Sequence, residues 1–201
     1  MHHQHLLRSD DDEEVLLGIC SVIYWGQYKP TKIGEKRNSA TTFSAETLTP
    51  KIANTKPESA AKIVRKGITE LDHKNYAQAL IGVYDLLHCR LSLVSAMLAF
   101  IDPENVGIFD NRLTNLLLAM ERNSVLEEII NPDLARPEIE TLTEAAGRFA
   151  KYCIVLQQLK YLVNDNRTGW KDATNCQMSR FRSIDIQRAL SVMHIEAGKT
   201  G

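Results

Sequence analysis

The chain has 201 residues, 44% of them hydrophobic, which is ample for a buried core in one large domain or two small ones. Its 24 basic and 25 acidic residues nearly cancel, so overall charge indicates neither a nucleic-acid nor a membrane protein. Distribution says more: residues 1–28 carry net −4, 29–66 net +6, 67–165 net −6 and 166–201 net +3, leaving two basic segments around an acidic middle.

The opening "MHHQH" offers His2, His3 and His5 for adventitious metal binding, but the plainer expectation is a frayed terminus or incomplete tag. Ser9 with Asp12 three residues on marks a helix start, with acids on its positive dipole end. That helix continues through "VLLGICSVIYW", apolar almost all round, and is expected to be buried. Gly26 to Lys56 mixes Gly, Pro, Lys, Ser and Thr without a sustained period and predicts a long basic loop, with a short helix near "SAETL". A helix follows from Glu58 to about Leu71, and another begins after Asp72 and runs through "YAQALIGVYDLL".

After "HCR" comes the apolar helix "LSLVSAMLAFI", which Asp102-Pro103 ends because proline restricts its predecessor and cannot continue a helix. Leu113, Leu116, Leu117 and Met120 recur at one-face spacing in a helix from Asn111, and "SVLEEII" is a short one closed by Asn131-Pro132. Pro137 opens a long amphipathic helix to about Val163. The polar stretch "NDNRTGWKDATNCQMSRFR" leads to Ser183, a cap for the last helix through Ile186, Leu190 and Met193. No segment alternates at period two for long, so the expected fold is all-α, a single domain over 1–201 with seven to nine helices.

The order of elements between Leu71 and Leu118 resembles the helix-hairpin-helix DNA glycosylase superfamily of base-excision repair. "LHCRLSLVSAML" occupies the place of the hairpin, and "DPENVGIFDNRL" that of the segment whose Asp stands at a helix start beside a flipped base. The resemblance implies a compact multi-helix glycosylase fold, DNA as partner, no cofactor, and Asp110 as the catalytic carboxylate of a monofunctional N-glycosylase. The sequence departs from the family at the hairpin glycines, replaced by His88, Cys89, Arg90 and Leu91. Those glycines let the backbone reach a phosphate; Arg90 would substitute by charge. The Schiff-base lysine is absent near Ser92–Val94, which argues against lyase chemistry, and the spacing for an iron–sulfur cluster is absent too.

Two readings of Asp110 stand side by side. A carboxylate beside a base stabilises the sugar cation formed as the glycosidic bond breaks, or activates water. An Asp before Asn111 also caps a helix. "YWGQYKPTKIGEKR" interleaves Tyr24, Trp25 and Tyr28 with Lys29, Lys32, Lys36 and Arg37, the composition of a surface that stacks bases and meets phosphates. The plainer expectation has Tyr24 and Trp25 completing a buried helix. Trp170 and Lys171, with Arg180 and Arg182, make a second basic-aromatic cluster. Asp185 and Arg188 predict a surface ion pair on the last helix. His88 reads as a turn or core histidine rather than a base. Cys20, Cys89, Cys153 and Cys176 show no paired spacing and are expected to be reduced thiols. No zinc signature, phosphate-binding glycine loop or membrane span is present, and the expected location is the cytoplasm. The leading expectation is a glycosylase-like DNA-binding protein, and its rival a non-catalytic DNA-binding or protein-interaction module on the same scaffold.

Overall fold

The computed structural model describes residues 2–27, 52, 54–87, 90–109, 139–165, 170–171 and 178–197. It is all-α, as the periodicity predicts. Seven helices are described: α1 (His2–Leu7), α2 (Asp12–Gln27), α3 (Pro57–Asp72), α4 (Tyr76–Leu87), α5 (Leu91–Ile101), α6 (Ile139–Asp165) and α7 (Ser183–Ala197). The only extended pairing among the described residues is antiparallel and two residues long on each side, Trp170 opposite Ser179 and Lys171 opposite Met178.

The N-terminus is not frayed. Leu6 and Leu7 of α1 are buried, His3 packs its ring 4.6 Å from Phe100, and its Nδ1 lies 2.9 Å from Ser21 Oγ. Gln4 Nε2 and Arg8 Nε both donate to the carbonyl of Ile101, satisfying an orphan acceptor at the end of α5. The next helix starts three residues later than Ser9. Asp11 Oδ1 accepts from the backbone N–H groups of Glu13 and Glu14 and so caps α2, while Ser9 Oγ donates to Glu14 at 2.6 Å. Arg65 of α3 holds this corner, paired with Asp12 at 2.6 Å and bonded to the carbonyls of Ser9 and Asp10.

In α2, Val15, Ile19, Val22 and Ile23 are buried, but Leu17, Tyr24 and Trp25 are 58%, 53% and 45% exposed. The helix expected to be buried on all sides therefore lies at the surface, and Tyr24 and Trp25 do not finish a buried element. That central role falls to α5, where nine of eleven residues are buried. It packs on α1, α2 and α4. Its neighbour α4 also packs on α6, and α6 carries α7.

Pro57 opens α3, and Ala60, Ala61, Val64, Gly67 and Leu71 form its buried face. Its end is closed by Lys74 at φ 61°, with the N–H groups of Lys74 and Asn75 donating to the carbonyls of Leu71 and Glu70. Between α4 and α5 the axes turn through 118°. No single helix among the described residues is long and apolar enough to cross a membrane; α4 and α5 reach that hydropathy only together, across this bend.

Candidate ligand-binding groove

The segment Asp102 to Phe109, which precedes Asp110 in the chain, is held at nearly every residue. Asp102 ends α5 by donating its N–H to Leu98, then accepts from the N–H of Val106 at 3.0 Å and, through its carboxylate, from the Asn105 amide. Helix α6 supplies three further bonds: Lys160 Nζ to the Glu104 carbonyl (2.7 Å), Gln157 Nε2 to that of Asn105 (3.2 Å) and the Tyr152 hydroxyl to that of Ile108 (3.1 Å). From α5, the buried Ser95 hydroxyl accepts the Phe109 N–H at 2.9 Å. Phe109 is fully buried, its ring 5.3 Å from Tyr152 and 6.0 Å from Phe149. Gly107 is needed here for space: a Cβ would run into Leu156 and lie 3.2 Å from both Gln187 Cβ and the Tyr152 hydroxyl.

Helix α7 begins on the same segment. The N–H groups of Ser183 and Ile184 donate to the carbonyls of Glu104 and Pro103. Ser183 is not the cap; its buried Oγ has no hydrogen-bond partner among the described residues. Arg182 stands in the capping position and Asp185, three residues on, reaches back to its N–H at 3.0 Å, one half of a capping box. The same carboxylate takes both Nε (2.9 Å) and Nη2 (3.0 Å) of Arg182. Burial pushes Asp185 up, but the bonds from Arg182 and the charges of Arg182 and Arg188 outweigh it and hold the carboxyl below its ordinary value. The expected Asp185–Arg188 pair is thus replaced by an Asp185–Arg182 pair. Arg188 is exposed and has no ion pair among the described residues.

Between these elements lies a groove of about 260 Å³. Ala96 and Ala99 of α5 line it with Phe100 and Ile108, and Trp25 stands at its side, edge-on to Phe100 at 4.9 Å and 88°. Gln4, Gln187, Arg182 and Arg188 contribute the polar part of the lining. The volume lies just below the roughly 300–1,000 Å³ of drug-sized sites and leaves room for one ring-sized group. Buried Cys153 has its thiol pushed up by desolvation, despite a bond from the Gly107 backbone, which makes it an inert part of the core.

Of the residues singled out in the sequence, Asp110, Lys29, Lys32, Lys36 and Arg37 lie outside the described residues, as do His88, Cys89 and Cys176. Arg90 is exposed at the N-cap of α5, its carbonyl accepting from Leu93 and Val94. Trp170 and Lys171 are placed by their backbone pairing alone. Arg90 stands at the start of α5, while Trp170 and Lys171 are neighbours in one short strand. The groove instead gathers Trp25, Arg182 and Arg188, which the sequence reading treated separately, with Gln4 and Phe100, which it missed. Gln4 lies in the stretch whose composition reads as a tag or frayed end, and Phe100 has the pattern of one more apolar residue in a core helix.

No protein-family model, curated protein or solved structure matches this chain. The fold and the groove define an all-α protein with an aromatic and cationic recess beside a firmly held loop.

Proposed function

We propose that the protein is a glycosylase-like DNA-binding domain whose groove receives an unpaired or extruded base. The observation that supports this most is the composition of the groove next to Ile108. Trp25 and Phe100 offer aromatic surface to a base, and Arg188 offers a cation to the adjoining phosphate. Ring-sized volume is in keeping with a single base. Asp110 follows two residues after Ile108, beyond a segment held by α5, α6 and α7, and acts in this reading as the carboxylate that stabilises the sugar cation or activates water. A rigidly held approach is what such a carboxylate requires, since catalytic groups act through fixed geometry.

The test has a binding arm and a chemical arm. Labelled single-stranded and mismatched duplex DNA should bind at low salt and weaken steeply as salt rises. Arg188→Ala should reduce the salt slope by about 1, and Trp25→Ala should weaken binding by the ~1–3 kcal/mol typical of a stacked base. On DNA carrying a panel of damaged bases, Asp110→Asn should keep stability and lose base release. No binding at low salt removes the nucleic-acid reading. Binding without release from any base leaves the non-catalytic DNA-binding module as the account.

A further inference from the structure

We propose that the C-terminal half of α6 is a self-association surface that pairs antiparallel with the same face of a second copy. Between residues 151 and 165 the exposed positions are Lys151, Ile154, Gln158, Tyr161, Leu162 and Asp165, while every residue between them is buried or half-buried. Their spacing of three and four residues places them on one stripe about 21 Å long at 1.5 Å per residue. Three of the six large apolar side chains exposed among the described residues lie here: Ile154 at 48%, Tyr161 at 68% and Leu162 at 63%.

The stripe is self-complementary. A twofold axis through Gln158 sets Ile154 of one copy against Tyr161 and Leu162 of the other, with the Gln158 amides facing each other across the axis. It also sets Lys151 at each end against Asp165 of the second copy, so the two ends of the stripe carry opposite charge in the order that only antiparallel pairing satisfies. Opposite-charge pairs of this kind fix register and orientation more than they add affinity. A single helix face buries less than the ~1,200–2,000 Å² of a standard interface, so the dimer belongs to the weak, concentration-dependent class.

The experiment is analytical ultracentrifugation of the full chain over a hundredfold range of concentration. Wild type is expected to pass from monomer to dimer. Lys151→Glu and Asp165→Lys should each weaken dimerisation about tenfold, since each sets like charges together at both ends. The doubly swapped chain should regain it, and the two single variants should associate with each other when mixed. A wild type that stays monomeric throughout overturns the proposal. So does a dimer indifferent to the charge swaps. If the wild type is monomeric and Ile154→Ser or Leu162→Ser lowers the melting temperature, the face is covered within the chain, and the proposal is again overturned.

Discussion

Ser95→Ala removes the one polar side chain among the nine buried residues of α5 and leaves the Phe109 N–H, buried and otherwise bonded to Ser95 Oγ at 2.9 Å, without an acceptor. Orphaning a buried donor costs about 1–3 kcal/mol. Alanine returns up to about 0.5 kcal/mol through its better helix propensity. The Ser95 hydroxyl itself donates to the Ser92 carbonyl at 3.1 Å, but that carbonyl is already within the helix ladder, and its loss matters less. The net expectation is a destabilisation of about 1–2 kcal/mol, or about 2–8 °C in melting temperature for a chain of this size. Thermal and urea denaturation followed by circular dichroism would measure it, with amide exchange at Phe109 rising selectively. A melting temperature unchanged or raised would refute the reasoning, because it would mean that the 102–109 segment does not depend on this bond. Ser95→Cys, similar in size but a weaker acceptor, should fall between wild type and alanine.

The closure of α3 predicts that Lys74→Gly raises stability by about 1 kcal/mol, since φ 61° strains a side-chain-bearing residue and not glycine; chemical denaturation reads this directly. For Asp185, the folded-state pKa is below the ordinary 3.8, so its stabilisation is present above that value and is lost as pH falls through the folded pKa. Asp185→Asn should therefore lower stability by about 1 kcal/mol at neutral pH, a modest figure because Arg182 is partly exposed, and should converge on wild type in acid; melting curves from about pH 7 to about pH 2 test both parts.

Much of this architecture was legible in local chemistry. Spacing of apolar residues at three and four marks α3, α4, α6 and α7 from sequence because helical periodicity is a property of the chain within two turns. Asp102-Pro103 had to end α5, since proline constrains its own neighbours whatever lies around it. The lack of sustained alternation also argued against long strands, and the described residues are helical apart from one pairing two residues long on each side.

The partners of each face were decided only by the tertiary structure. Both α2 and α5 read as apolar nearly all round, yet α5 is central and α2 superficial, because burial depends on which helices arrive from elsewhere in the chain. A six-residue helix such as α1 is too short to persist alone. It exists because Leu6 and Leu7 find a core and Gln4 and Arg8 find the carbonyl of Ile101, about a hundred residues away. Asp185 and Arg188 have helix-pair spacing, but Asp185 turns back to Arg182 because it satisfies the N-terminal N–H and the guanidinium together. The groove is the extreme case: Trp25 and Arg188 stand far in the chain from Phe100 and Ile108, and only packing of α2, α5 and α7 around a bonded loop brings them together.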